Sequence, residues 1–177
     1  MATEAKEPKV RVPLVEIDEA NRKRLRELGG EFLNLYKVIG NNPLMLSAWI
    51  EFAYCIRRDC KTARTLRELM ILRGAQIVGS AYEWQQHRRW AKEQGVTPDQ
   101  IEDLFMWGEF PHYSEPERAA LALTESIMAG DVSDEVYAEL QKQFSPSEIV
   151  ELVFTATFYA MVPRLLNALK VPMEEET

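Results

Sequence analysis

The chain has 177 residues, 46% of them hydrophobic and 28% charged, with a formal net charge of −7. That length and balance predict one folded domain with a single core and exclude a disordered or fibrous chain for the bulk. The acidic balance excludes a nucleic-acid surface, because affinity for phosphate comes from clustered Lys and Arg.

The start MATEAKEPKVRV lacks an apolar core of signal-peptide length. The longest apolar stretch, Ile149 to Val162, is interrupted by Glu151 and too short for a bilayer. Two cysteines, Cys55 and Cys60, make no disulfide framework and fit a reducing compartment. No membrane association and a cytoplasmic address are the expectations.

Residues 1–17, with Pro8 and Pro13 and the β-prone run Val10, Val12 and Val15, read as an N-terminal arm, and residues 173–177 as an acidic tail. A helical domain over residues 18–172 is expected between them. Asp18 is placed to cap a helix ending at Gly29-Gly30, and a second helix is expected over Glu31–Ile39. Asn41-Asn42-Pro43 breaks the chain, and Pro43 suits the first turn of a helix through Trp49, Phe52 and Ile56. The basic cluster Arg57, Arg58, Lys61, Arg64 and Arg67 follows; in a helical stretch such a cluster is more often a solvated or ion-pairing face than an anion site.

A helix over Thr65–Val78 stops at Gly79-Ser80. Thr97-Pro98, Ser114-Glu115-Pro116 and Ser145-Pro146 each set a capping hydroxyl before a proline near a helix start, and Gly130 sits where a C-terminal glycine belongs. The last helix, Pro146 to about Leu169, has almost no polar face, so it is either central in the core or covered by another subunit. Pro163 inside it should cause a kink. The fold class is all-α, with about eight or nine helices.

The chemistry-bearing segment is Glu68–His87, ELMILRGAQIVGSAYEWQQH. Glu83 and His87 are spaced i, i+4 and share one helix face. An imidazole titrates near neutrality and an adjacent carboxylate orients it or exchanges protons with it, so the pair suits acid–base work. Ser80-Ala81-Tyr82-Glu83 also satisfies a capping-box pattern, a purely structural role. At the third helical position the macrodipole favours an ionised Glu83, a base rather than an acid unless burial wins.

The frame of Glu68, eleven residues, Ser80-Ala81-Tyr82-Glu83, three residues and His87 resembles the Glu, Cys-x-His-Cys and His pattern of the alkylhydroperoxidase D group, with both cysteines replaced. Asn34-Leu35-Tyr36, Arg67-Glu68-Leu69, Ile71-Leu72-Arg73, Gly95-Val96-Thr97 and Arg164-Leu165-Leu166-Asn167-Ala168-Leu169 look like the subgroup of this carboxymuconolactone decarboxylase superfamily carrying Tyr-Glu-Trp-x-x-His. The resemblance covers roughly residues 20 to 172.

Serine neither ionises near neutrality nor forms a disulfide, so the thiol peroxidase chemistry of that group does not carry over at Ser80 and Glu83. Cys55 and Cys60, five residues apart, face roughly 140° from one another on a helix and read as core filler. In the decarboxylase branch a glutamate stands four residues before the motif histidine, and Glu83 and His87 resemble that pair. The resemblance implies decarboxylation or isomerisation of a small cyclic or unsaturated carboxylic acid, lactone or enolisable ketone, without cofactor. Glu83, His87 and Glu68 are its expected catalytic residues, with Glu68 holding the His87 tautomer or simply pairing with Arg64 or Arg73. Tyr82 and Ser80 are the expected substrate-binding residues, Tyr82 as an oxyanion donor or a packed aromatic.

A metal site is not expected, since the ligand set lacks a second histidine, and His112 reads as a surface residue. The family's trimers or dimers of trimers imply a homo-oligomer. Two other readings stay open: a peroxidase-like antioxidant protein working through Cys55 or Cys60, and a non-catalytic oligomeric ligand-binding relative.

Overall fold

The computed structural model describes residues 10–174. Among these residues there are nine α-helices, a π turn at Cys55–Asp59, a short 3₁₀ helix at Asp103–Met106 and no strand. The described residues divide into two compact units, residues 10–54 with 165–174, and residues 55–164.

The first unit holds α1 (Glu19–Glu27), α2 (Asn34–Ile39), α3 (Pro43–Tyr54) and the last turn of α9 (Pro146–Leu169). Asp18 caps α1 as expected, its carboxylate accepting from the Asn21 backbone N–H at 3.1 Å. The Asn21 amide reaches on to the Pro43 carbonyl at 3.0 Å, tying α1 to the start of α3. The second helix begins three residues later than the expected Glu31, at Asn34. Its cap comes from the far end of the chain: the Asn34 N–H donates to the Glu174 carboxylate at 2.8 Å, and the Asn34 amide to the Met173 carbonyl at 3.1 Å. No local pattern reveals a cap of that kind. Of the expected arm, the described part runs without helix or strand and is held by Arg11 N–H to the Leu169 carbonyl and Val15 N–H to the Lys37 carbonyl. Pro8 and residues 175–177 of the tail lie outside the described residues.

The second unit holds α4 (Arg64–Val78), α5 (Ala81–Gln94), α6 (Pro98–Glu102), α7 (Glu115–Ala129), α8 (Asp134–Gln143) and α9 as far as Arg164. Capping boxes at Thr97 and Ser114 start α6 and α7, and Gly130, at φ +102°, ends α7. The central element is α4, which packs on both α5 and α7. Leu66 and Met70 join Ala120, Leu123, Leu140 and Leu152 in one apolar cluster, while Leu69 and Leu72 join Ala91, Ile101, Leu104 and Leu121 in another. With apolar surface committed on two sides, the helix carries Glu68 fully buried between them. The Met128 side chain of α7 reaches over Gly74, where a Cβ would stand 2.6 Å from Met128 Cε.

Ile149, Leu152, Ala156, Tyr159 and Val162 of α9 are buried, whereas Val150, Phe154 and Met161 are about half exposed along one stripe. The helix runs unbroken through Pro163. Its 24 residues exceed the apolar stretch seen in the sequence and are long and apolar enough to cross a membrane by length and composition, but half of the qualifying window is buried inside the protein, as in a core helix.

Candidate functional site

Gly79, at φ +69°, ends α4 in the left-handed conformation that favours glycine, and Ser80 starts α5 at once. The chain thereby folds α5 back on α4, and side chains two to three turns either side of the break meet. Glu68 Oε2 lies 2.7 Å from His87 Nδ1, and His87 Nε2 lies 3.5 Å from Glu83 Oε2. The three groups form a carboxylate–imidazole–carboxylate line, with 0%, 2% and 5% of the respective side chains exposed. Arg64 Nη2 donates to the other oxygen of Glu68, one turn along α4. Arg73 pairs with Glu125 at 2.7 Å, so of the two partners open to Glu68 in the sequence the fold selects Arg64.

Electrostatics separates the two carboxyls. Burial alone would raise Glu68, but the imidazole of His87 and the guanidinium of Arg64 outweigh it and hold the group below the ordinary carboxylate range. An ionised Glu68 accepts a hydrogen bond from His87 Nδ1–H, which leaves Nε2 facing Glu83. Glu83 goes the other way. Burial pushes its carboxyl up and the charge of Glu68 adds to the rise, against the opposing influence of His87 and Arg57. Burial therefore overrides the helix-start effect that favoured an ionised Glu83, and the carboxyl holds its proton more tightly than an ordinary glutamate. Glu83 Oε2 and His87 Nε2 stand 3.5 Å apart, close enough for electrostatic coupling but without a hydrogen bond between them.

The capping box expected at α5 is only half formed. Ser80 Oγ accepts from the Glu83 N–H at 3.4 Å, but the Ser80 N–H goes to the Ala75 carbonyl, and the Glu83 carboxyl turns along the helix to His87. Glu83 Oε2 is buried without a hydrogen-bond partner. Ser80, itself buried, is thus a helix cap in the structure. Tyr82 is buried about 100° around α5 from Glu83, away from the shared face of Glu83 and His87.

The tyrosine ring that packs against His87 is that of Tyr159, from α9. The imidazole is held edge-on by Tyr159 at 5.0 Å and by Trp90 at 4.8 Å. Arg57 Nε donates to Tyr159 Oη at 3.2 Å, and the Arg57 guanidinium lies 5.5 Å from the centre of the Trp90 ring. Sequence reasoning missed Tyr159, Trp90 and Arg57. The available signals were a hydroxyl-bearing ring in an otherwise apolar helix and a cation in the basic cluster. The cluster divides: Arg58 and Lys61 are exposed, Arg57 and Arg64 pair with Tyr159 and Glu68, and buried Arg67 donates to the Thr62 hydroxyl at 2.8 Å.

Cys55 and Cys60 are both free. Burial pushes the Cys60 thiol up, away from the thiolate form, and its Sγ donates to the Cys55 carbonyl. His112 pairs with Asp103 at 3.0 Å and stacks on Phe110. Among the described residues no group of three or more His, Cys, Asp or Glu is arranged to hold a metal ion.

The strandless arrangement of nine helices among the described residues is that of the alkylhydroperoxidase D-like fold. Residues 43–126 match the carboxymuconolactone decarboxylase family. A curated relative, the uncharacterized protein YdfG of Bacillus subtilis (strain 168), is 36% identical over 93 residues, which make up 51% of this chain and 63% of YdfG. The match thus spans less than two thirds of that relative's length.

Among solved structures, an alkylhydroperoxidase AhpD core protein from Ralstonia eutropha JMP134, described as peroxidase-related, superposes with a TM-score of 0.80 at 14% identity, covering 96% of this chain and 95% of its own. A variant of the debrominase Bmp8 in complex with 2,3,4-tribromopyrrole superposes with a TM-score of 0.79 at 19% identity, covering 94% of each chain. At these identities the likeness is one of fold.

Proposed function

We propose that this protein is a cofactor-free acid–base enzyme of the carboxymuconolactone decarboxylase type, decarboxylating or isomerising a small cyclic or unsaturated carboxylic acid, lactone or enolisable ketone. The observation that carries the reading is the buried line Glu68–His87–Glu83 with opposite carboxyl biases. A carboxyl that holds its proton, next to an imidazole with a free ring nitrogen, can both give and take a proton at carbon near neutral pH. Glu83 is the group that meets the substrate, His87 exchanges its proton, and Glu68 with Arg64 balances the imidazolium that forms.

Several observations support this reading over a thiol peroxidase. Ser80 and Glu83 stand where the peroxidases carry thiols, and Cys60 is biased towards its neutral form. The assembly is proposed to be a homo-oligomer, a trimer or a dimer of trimers, in which the stripe of Val150, Phe154 and Met161 is covered, and the compartment the cytoplasm.

The test is proton NMR in D₂O with a panel of unsaturated lactone acids, β-keto acids and enolisable ketones. Deuterium incorporation at carbon, or loss of CO₂, is expected for at least one member and is expected to vanish in His87→Asn. Exchange that survives in His87→Asn would refute the assignment.

A further inference from the structure

We propose, on the acid–base reading above, that Tyr159 is a further catalytic residue, its phenolic O–H donating to the carbonyl oxygen of the substrate as that oxygen becomes an enolate, with Arg57 positioned behind the phenol. Two buried atoms lead to this assignment. Tyr159 is only 3% exposed, and its oxygen accepts from Arg57 Nε at 3.2 Å, which leaves its own O–H available to donate. Glu83, 4% exposed, has a carboxyl oxygen with no hydrogen-bond partner. Both belong to residues that border the His87 ring, Tyr159 edge-on at 5.0 Å and Glu83 at Nε2.

Leaving a buried polar atom unpaired costs about 1–3 kcal/mol, so the Glu83 oxygen calls for a ligand, and the Tyr159 hydroxyl, which accepts from Arg57, keeps a proton to donate to that ligand. Their chemistry specifies it. A hydroxyl donor asks for an oxygen acceptor, and a carboxyl next to an imidazole asks for an acidic C–H. A carbonyl compound with a hydrogen on the adjacent carbon offers the two together.

Burial pushes the Tyr159 phenol up, Glu68 and Glu83 add to the rise and Arg57 and Arg64 oppose it, so the group stays protonated and acts as a donor. In the step, Glu83 passes its proton to His87 Nε2 and takes up the proton from the carbon beside the carbonyl. The C–H electron pair becomes the new C=C bond, and the carbonyl π pair moves onto oxygen. That oxygen, now anionic, takes a strengthened hydrogen bond from Tyr159, and Arg57 stabilises the charge drawn onto the phenol. Return of the proton to carbon from the same pair closes the cycle without oxidant or reductant.

The test uses 4-nitrophenol, whose phenolate imitates an enolate oxygen on a flat ring, with 4-nitroanisole as the uncharged control, both titrated into the full chain at neutral pH. Wild type is expected to bind the phenolate, seen as a shift of its absorbance band. Tyr159→Phe is expected to weaken that binding about 10- to 100-fold while leaving 4-nitroanisole unaffected. Should Tyr159→Phe fail to fold, Arg57→Gln leaves the phenol ring in place and carries the same expected direction.

Equal phenolate binding by wild type and Tyr159→Phe, or none by wild type, would overturn the assignment. Tyr159-dependent phenolate binding with no exchange in any panel compound would support the oxyanion site while sinking the proposed reaction. Exchange that depends on Glu83 but runs at full rate in Tyr159→Phe would sink the role of Tyr159 and leave the reaction standing.

Discussion

Replacement of Glu83 by Gln separates the chemistry of this side chain from its place in the fold. The helix start loses nothing, because the capping contact at α5 runs from the Glu83 backbone N–H to Ser80 Oγ and survives any side chain. The amide has the volume of the carboxyl and fills the same buried space, 3.5 Å from His87 Nε2. Proton exchange with the imidazole is abolished, and turnover is expected to fall roughly 10²–10⁴-fold, the range for loss of a general acid or base.

Stability should move the other way, and with pH. A carboxyl raised in the folded state keeps its proton above its ordinary value of 4.5, where the unfolded chain has already released it. Stability from that bound proton is present below 4.5 and lost as pH rises through the raised folded-state value. Gln does not titrate, so the variant's melting temperature should match that of wild type near about pH 4.5 and exceed it increasingly towards about pH 8. Thermal scans by circular dichroism across that range, beside the NMR exchange assay, read both effects. Near-normal turnover in Glu83→Gln would refute the site, and a melting temperature that falls relative to wild type as pH rises would refute the raised carboxyl.

Ser80→Ala removes the cap and is expected to cost about 1 kcal/mol, a drop of about 2–4 °C in melting temperature, with a much smaller loss of turnover than Glu83→Gln. An equal loss of turnover would place Ser80 in contact with substrate. Alkyl hydroperoxide with a dithiol reductant is expected to go unreduced, and robust reduction abolished by Cys55→Ser or Cys60→Ser would restore the peroxidase reading. Light scattering at about micromolar concentration should give an oligomeric mass for wild type and a smaller one for Phe154→Lys, which places a charge in the exposed stripe of α9. A monomeric wild type would leave that stripe without the partner proposed for it.

Much of the helical framework is legible in the chain because helix starts and stops are local events. Asp18, Thr97, Ser114 and Ser145 act within three residues of themselves, and Gly79 and Gly130 end helices through their own dihedral angles. The late start of α2 escaped for the same reason inverted, since its cap arrives from Glu174, 140 residues away.

The site divides along the same line. Spacing alone sets Glu83 and His87 on one face of α5, because i, i+4 geometry belongs to any helix. Which of two arginines pairs with Glu68, which proton Glu83 keeps and which tyrosine ring packs against His87 were decided by tertiary structure. These depend on burial and on contacts between distant segments, such as Arg57 with Tyr159, 102 residues apart. A carboxylate's charge state follows the medium around it, and that medium exists only once α4, α5 and α9 have closed over it.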